Sequence, residues 1–146
     1  MTTKPAHVEP RPRPAYPIRQ YMNAAPHSIG RDQPLSVAQE RMRAWGVRHL
    51  PVLDGGKLVG ILSQRDALFV ETLRDVDPTK VPVEDAMSAD VYIVEPETPL
   101  MDVANAMADH KYGCAVITDG PRIVGIFTTV DATRALAGIV EGKRFA

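Results

Sequence analysis

The stretch that decides the fold is Gly60–Asp66, which reads Gly-Ile-Leu-Ser-Gln-Arg-Asp. A shift of 65 residues brings it onto Gly125–Asp131, which reads Gly-Ile-Phe-Thr-Thr-Val-Asp. In each copy an apolar strand ends at a hydroxyl residue, and a carboxylate follows three residues later, where a helix should begin. Because the pattern occurs twice, we expect two copies of one supersecondary unit.

The repeat extends to both sides of this motif. The same shift matches Pro17 with Pro82, Met22 with Met87, Pro34-Leu35 with Pro99-Leu100, Met42 with Met107, and Asp54-Gly55 with Asp119-Gly120. A unit of roughly 60 residues buries only about 60% of the surface that its unfolded chain exposes, so each copy alone would be marginally stable. We therefore expect the two copies to pack together and to enclose paired clefts where they meet.

Apolar spacing and turn residues predict the same elements in each copy. The predicted elements are short opening helices at 17–22 and 83–87, strands at 27–30 and 91–94, helices at 35–45 and 100–110, hairpin strands at 50–53, 58–62, 114–117 and 123–127, and closing helices at 64–73 and 129–140. The hairpin strands are apolar on both faces, which is typical of strands covered by helices on one side and by a second sheet on the other. This predicts an α/β fold in which two β-α-β-β-α repeats, each with a short leading helix, pack sheet to sheet about a pseudo-twofold axis. Along the chain, the division is a disordered proline-rich tail at 1–16, a first repeat at 17–80 and a second at 81–146.

Composition excludes several classes of function. The net charge of −1 gives no basic face for nucleic acid. No apolar run is long enough to cross a bilayer and no signal peptide is evident, so we expect a cytoplasmic protein without membrane attachment. The single cysteine, Cys114, has apolar neighbours, which favours a buried structural thiol over a reactive one. The four histidines lack metal-ligand spacing, and no nucleophile–base pair can be named, so neither a metal site nor an enzyme is expected.

The repeated Ser/Thr-x-x-Asp ending has two interpretations. In the first, Ser63 and Asp66 form a capping box that satisfies free backbone amides at a helix start. In the second, the carboxylate points into a cleft and accepts hydrogen bonds from the two adjacent hydroxyls of a ribose, since hydrogen bonds to a charged acceptor are the stronger kind. The amino end of the helix would then face a sugar or phosphate. The same alternatives hold for Thr128 and Asp131.

Taken together, the motifs resemble a tandem pair of cystathionine β-synthase (CBS) domains, often called a Bateman module. The residues that carry the resemblance are 17–22 and 82–87, the Pro-Leu helix starts, His49-Leu50-Pro51-Val52 with Asp54, and both Ser/Thr-x-x-Asp endings. The resemblance covers residues 17–140. It implies two clefts that commonly bind adenosyl ligands, namely AMP, ADP, ATP, S-adenosylmethionine or NAD.

The resemblance also assigns roles to residues. It implies ribose binding by Asp66 and Asp131 with the preceding hydroxyls of Ser63 and Thr128. Contact with adenine is implied for the first strand of each repeat, at Ser28, Ile29, Ile93 and Val94. Basic side chains for the ligand's phosphates would be Arg48 and His49, with Arg65 and Arg134 as further candidates.

The two copies differ at the phosphate positions. Where repeat one has Arg48 and His49, repeat two has Gly113 and Cys114, with only Lys111 nearby. We therefore expect unequal clefts, although the sequence does not tell which cleft receives Arg48.

Three functions follow from these patterns. The first is a non-catalytic sensor that binds an adenine nucleotide, with AMP or ATP favoured over S-adenosylmethionine or NAD, and no catalytic cofactor. It would act through a homodimer or through a separate effector protein. The second is a structural or partner-docking module in which both aspartates are helix caps only. The third, a hydrolase or transferase, has the least support.

Overall fold

The structure is a computed structural model that describes residues 16–24 and 26–142. Its strands are β1 (Asn23–Ala24), β2 (Ile29–Gly30), β3 (His49–Asp54), β4 (Lys57–Ser63), β5 (Ile93–Val94), β6 (Cys114–Asp119) and β7 (Arg122–Thr128). Its α-helices are α1 (Leu35–Trp45), α2 (Gln64–Glu71), α3 (Leu100–His110) and α4 (Thr129–Val140), and short 3₁₀ helices lie at Ile18–Gln20 and Val83–Asp85. The proline-rich tail predicted for residues 1–16 lies outside the described residues, apart from Tyr16.

The α-helices follow the predicted pattern closely. The bounds of α1, α3 and α4 are those predicted, whereas α2 ends at Glu71 instead of residue 73. The opening helices are single 3₁₀ turns, and the first strand of each repeat is only two residues long. No helix within 16–24 and 26–142 is long and apolar enough to cross a membrane.

Two sheets form the centre of the molecule. In the first, β2 runs parallel to β3, and β3 forms an antiparallel hairpin with β4. In the second, β5, β6 and β7 repeat this arrangement, and β1 adds a fourth strand beside β7. Helices cover each sheet, and each half has its own apolar core, one around Leu50 and one around Phe127. The predicted α/β fold of two packed CBS-like repeats is confirmed.

The leading segment of each repeat packs on the other repeat. Ile18, in the first 3₁₀ helix, is fully buried in the second core, and Asn23 pairs with Ile126 of β7. In the opposite direction, Val83 is fully buried in the first core, and Ser88 pairs with Ile61 of β4. The predicted boundary at residue 80 separates the repeats along the chain. In three dimensions, the leading segment of each repeat packs in the core of the other.

The repeated glycine of the motif makes this exchange sterically feasible. A Cβ placed on Gly60 would overlap the Met87 sulfur and lie 2.9 Å from the Ser88 carbonyl oxygen. A Cβ placed on Gly125 would overlap the Met22 sulfur and lie 3.2 Å from the Asn23 carbonyl oxygen. Glycine at these two positions lets the crossing segment lie directly on the strand.

Candidate functional site between the repeats

A cleft of about 1040 Å³ lies between the two repeats. We call it the Asp66 cleft. Repeat one contributes the start of β3, the end of β4 and the first turns of α2. Repeat two contributes the segment before β5, the segment between α3 and β6, and the first residues of β6 and α4. Its lining residues are Arg48, His49, Ile61, Ser63, Gln64, Arg65, Asp66, Leu68, Phe69, Ser88, Asp90, Val91, Tyr92, Lys111, Tyr112, Gly113, Cys114 and Thr129.

The Asp66 carboxylate is available to a ligand. Ser63 is the N-cap of α2, and its hydroxyl oxygen accepts a hydrogen bond of 3.0 Å from the Asp66 backbone N–H. The reciprocal half of a capping box is not formed: within residues 16–24 and 26–142 the carboxylate of Asp66 accepts no hydrogen bond and joins no ion pair. The exposed carboxylate therefore sits at the amino end of a helix inside a cleft, and within the described residues it has no hydrogen-bond or ion-pair partner.

The equivalent carboxylate of Asp131 is held by its own helix. Asp131 Oδ2 accepts hydrogen bonds from the Thr128 backbone N–H at 2.9 Å and from the Thr128 hydroxyl at 3.0 Å. The Thr128 hydroxyl oxygen accepts one in return from the Asp131 N–H, which completes a capping box. Arg134 Nη1 lies 3.5 Å from Asp131 Oδ1, and the carboxylate side chain is only 10% exposed. The two copies of the motif thus differ: Thr128 and Asp131 form a complete capping box, whereas Ser63 and Asp66 form only half of one.

The predicted phosphate-binding residues come together in the Asp66 cleft. Arg48, His49 and Arg65 all line it, and Lys111 adds a cation from repeat two. This answers what the sequence left open, since the cleft that contains Asp66 also receives Arg48. Asp131 and Thr128 do not line this cleft.

His49 is half-buried and lies against the second repeat. A Cβ placed on Gly113 would lie 2.7 Å from His49 Nε2, so the imidazole reaches across to repeat two. Burial lowers the pKa of His49 below its ordinary value, while Asp66 opposes this shift and Arg48 adds to it. His49 is therefore neutral at neutral pH and offers a hydrogen bond more than a charge.

The four residues predicted to contact adenine lie elsewhere. Ile29 and Val94 are buried in the two cores, and Ile93 is exposed outside the Asp66 cleft. Ser28 lines two smaller cavities, of about 400 and 480 Å³, that share no lining residue with the Asp66 cleft. Contact with adenine by these residues stays a prediction, but the structure does not bring them to Asp66.

Sequence reasoning missed the wall supplied by repeat two. Ser88, Asp90, Val91 and Tyr92 line the cleft just before β5, because the chain crosses β4 at Ser88 before it enters its own sheet. Tyr92 and Tyr112 stack there with ring centroids 5.0 Å apart. The sequence offered one signal for this wall: repeat two has Tyr112 next to the position where repeat one has its basic pair.

Cys114 is also at the cleft but is not reactive. The residue is buried, and burial raises the pKa of its thiol to about 12. The thiol is therefore protonated, in line with the structural role expected from its neighbours. In the part of the chain that the structure describes, no group of three or more His, Cys, Asp or Glu side chains could hold a metal ion.

Two stacked half-units, an exchanged leading segment and a cleft between them define a tandem CBS domain pair. The CBS domain family model matches residues 18–71 and 83–138, and the chain belongs to this family.

Known relatives agree with this assignment. The chain is 27% identical over 119 residues to hypoxic response protein 1 of Mycobacterium tuberculosis, covering 81% of this chain and 83% of that protein. Among solved structures, a putative acetoin utilization protein (AcuB) from Vibrio cholerae is 32% identical with a TM-score of 0.76, covering 86% of this chain and 93% of that one. The CBSX2 protein in complex with AMP is 24% identical with a TM-score of 0.73, covering 86% and 99%.

Proposed function

We propose that this protein is a non-catalytic regulatory module that binds an adenosine nucleotide of the AMP, ADP or ATP class in the Asp66 cleft. The observation that carries the proposal is the Asp66 carboxylate, which stands at a helix amino end within a cleft and has no hydrogen-bond or ion-pair partner among the described residues. The equivalent Asp131 is engaged by its own helix cap, whereas the exposed Asp66 carboxylate is left open to solvent or a ligand. A ribose diol would supply two donors to the two oxygens of Asp66.

The charges around Asp66 suit a phosphorylated ligand. Arg48, Arg65 and Lys111 line the same cleft, and Asp90 is the only other carboxylate on its lining. With Asp66 engaged by the sugar, the remaining lining carries an excess of positive charge that favours phosphate over a cationic group such as a sulfonium. This supports AMP, ADP or ATP ahead of S-adenosylmethionine.

The AMP complex of CBSX2 supports the same ligand class. At 24% identity that likeness is one of fold, so the transfer of its ligand to this chain rests on the geometry of the Asp66 cleft.

We further propose that the two clefts are unequal and that the Asp131 side binds nucleotide weakly. Ribose would have to displace the hydrogen bonds that Asp131 already accepts from Thr128, as well as the nearby Arg134. Each displaced bond to a charged group is worth about 1.5–3 kcal/mol when satisfied, which offsets what the sugar could contribute.

Signalling would act through a homodimer or a separate effector. Apolar side chains are exposed on the closing helices of both repeats, and one more lies just after α2: Leu68, Phe69, Val130, Leu136 and Val140 on the helices, and Leu73 after α2. Such side chains at helical spacing supply a face for a second copy of the chain. Since Leu68 and Phe69 also line the Asp66 cleft, a bound nucleotide would lie next to this face.

Calorimetric titration with AMP tests the proposal, and the repeat provides its own control. Asp66→Ala should weaken AMP binding by about 1.5–3 kcal/mol, because it removes the acceptor for the ribose hydroxyls. The same change should alter stability little, because the Asp66 carboxylate is exposed and accepts no hydrogen bond within the described residues. Asp131→Ala should do the reverse, costing about 1 kcal/mol of stability through loss of the cap while leaving AMP affinity unchanged.

Two results would contradict the proposal. One is the absence of AMP, ADP and ATP binding at millimolar concentration, which would favour the docking module in which both aspartates serve only the fold. The other is turnover of the nucleotide by the purified protein, which would make it an enzyme.

A further inference from the structure

We infer that Lys111 makes the Asp66 cleft select nucleotides with more phosphate charge, and that repeat two accepts a strained backbone to place this cation there. The inference rests on the proposed function and goes beyond it by naming the residue that distinguishes ATP from AMP. Lys111 lies directly after α3, is exposed, and lines the cleft. Among residues 16–24 and 26–142 its ammonium has no hydrogen-bond or ion-pair partner, so it is available to a ligand.

The backbone of Lys111 has the left-handed conformation that favours glycine. Its φ is 58° and its ψ is 37°, close to the values of 65° and 33° at Gly46, the equivalent residue of repeat one. In both repeats the N–H of the next residue donates a hydrogen bond of 3.0 Å to the carbonyl oxygen five positions before it. This way of ending a helix requires a left-handed residue, so the fold imposes the conformation in both repeats.

Lysine is a costly residue in this conformation. Its Cβ crowds the backbone when φ is positive, whereas Gly46 adopts the same conformation without that cost. Asp75 also has a positive φ, of 64°, but a short side chain that can hydrogen-bond locally tolerates this region. Backbone strain of this kind is concentrated at functional sites. The strained Lys111 lines the candidate site, where repeat one has the unstrained residue at the equivalent position.

An interaction with the helix dipole is the alternative reason for a lysine at this position. A cation at the carboxyl end of α3 is favourable to the helix, and the effect is confined to its last turn. In that case glycine at position 111 would lower stability. If the lysine instead serves the cleft at the expense of the backbone, glycine would raise stability and weaken ligand binding.

The charge on the cleft lining depends on Lys111. The lining has three cations, Arg48, Arg65 and Lys111, against two carboxylates, Asp66 and Asp90. Without Lys111, two cations would face two carboxylates and the formal charge would cancel. Each further phosphate on a nucleotide adds negative charge, so the attraction of Lys111 increases from AMP to ADP to ATP. An ammonium about 4 Å from one unit charge is worth roughly 5-fold in affinity even in bulk water.

Lys111 is also the cation that repeat two supplies to this cleft. Arg48 and Arg65 belong to repeat one, so a phosphate chain that reaches Lys111 as well contacts both repeats. The equivalent Gly46 offers no side chain to a ligand. The cation is thus supplied to the same cleft that has the open Asp66 carboxylate, and two independent differences between the repeats favour this cleft as the nucleotide site.

Calorimetric titration with AMP and ATP on four proteins tests the inference. Lys111→Met keeps an unbranched side chain and the backbone conformation but removes the charge; it should weaken ATP binding at least about 5-fold and AMP binding by a smaller factor. Lys111→Gly should weaken ATP binding to the same extent and also raise the urea midpoint, because the strain is relieved. Gly46→Lys is the matched control. A Cβ at Gly46 meets no atom within 4 Å, so this variant should lower the urea midpoint through its backbone alone and leave both affinities unchanged.

Salt dependence provides a readout that a purely structural role would not change. The difference in ATP affinity between the unaltered protein and Lys111→Met should shrink as sodium chloride is raised from about 0.1 M to about 1 M, because salt screens exposed charges. Circular dichroism checks that each variant is folded.

Three results would overturn the inference while the nucleotide site stands. They are unchanged ATP affinity in Lys111→Met, an equal loss for AMP and ATP in that variant, and a lower urea midpoint in Lys111→Gly. If the unaltered protein binds neither AMP nor ATP, the proposed function fails and the inference with it.

Discussion

Alanine in place of Gly60 should disrupt the contact between the repeats at a defined place. The added Cβ would lie 2.9 Å from the Ser88 carbonyl oxygen and overlap the Met87 sulfur. The Met87 side chain can rotate away, but the Ser88 carbonyl cannot, because it accepts a hydrogen bond of 2.9 Å from the Ile61 N–H. The crossing segment would have to lift from β4.

The magnitude follows from the contacts that would be lost. Overpacking a well-packed contact costs about 1–3 kcal/mol. Lifting Ser88 also breaks two backbone hydrogen bonds to Ile61, each of 2.9 Å and each worth about 0.5–1.5 kcal/mol net. We therefore expect Gly60→Ala to lower the free energy of unfolding by about 2–6 kcal/mol, a large part of the total for a domain.

Urea denaturation followed by far-ultraviolet circular dichroism measures this loss. Gly125→Ala provides a comparison, since its Cβ meets mainly the flexible Met22 side chain and lies 3.2 Å from the Asn23 carbonyl oxygen. Met22→Ala should restore much of the stability of Gly125→Ala, whereas Met87→Ala should restore little to Gly60→Ala. A Gly60→Ala protein within about 0.5 kcal/mol of the original, or one fully rescued by Met87→Ala, would refute this reasoning.

Two further predictions concern the exchanged segment and the cleft histidine. Ile18→Ala should lower the free energy of unfolding, measured by urea denaturation, by about 2–5 kcal/mol, because Ile18 is fully buried in the core of repeat two. A loss below about 1 kcal/mol would mean that the leading segment does not pack in that core. Because the folded pKa of His49 is lowered from 6.5, the unfolded chain binds more protons in the window just below that value, so stability should fall as pH drops through it. His49→Gln should flatten this part of the stability curve between about pH 5 and pH 7 in urea titrations, and an unchanged slope would contradict the buried, neutral imidazole.

Much of the fold could be predicted because local signals agree with each other. Leu35, Ala38 and Met42 follow the spacing of one helical face, and all three are buried. The Pro-Leu starts and the Asp-Gly turns define where α1, α3 and the hairpins begin. The exchange of leading segments could not be read in this way, because two-residue strands such as Asn23–Ala24 carry no periodicity. It depends on a contact with Ile126, about 100 positions away along the chain.

The candidate site, like the fold, could be predicted from the sequence only in part. Residues belonging to the motif itself, such as Asp66 and Ser63, could be named because their spacing is local. The lining supplied by repeat two could not be named, because the crossing at Ser88 decides which residues before β5 line the Asp66 cleft. The difference between Asp66 and Asp131 was also out of reach. Both have a hydroxyl residue three positions earlier, and the closed and open boxes differ in hydrogen bonds and in the backbone angles of the N-cap residue, which the spacing does not reveal.

The crossing segment of repeat two, residues 88–92, lies along the Asp66 cleft and is attached to both repeats. Its first residue, Ser88, is hydrogen-bonded to Ile61 of repeat one, and its last, Tyr92, is hydrogen-bonded to Val116 of repeat two. Asp66 belongs to repeat one, to which Ser88 is attached, and Tyr92 is attached to repeat two. A ligand that contacts both Asp66 and the repeat-two lining of the cleft would therefore fix the distance between the repeats. A ligand shifts the equilibrium between two arrangements of the repeats only by its difference in affinity for them. The distance between the repeats at this cleft therefore determines how strongly ligand binding can change their arrangement.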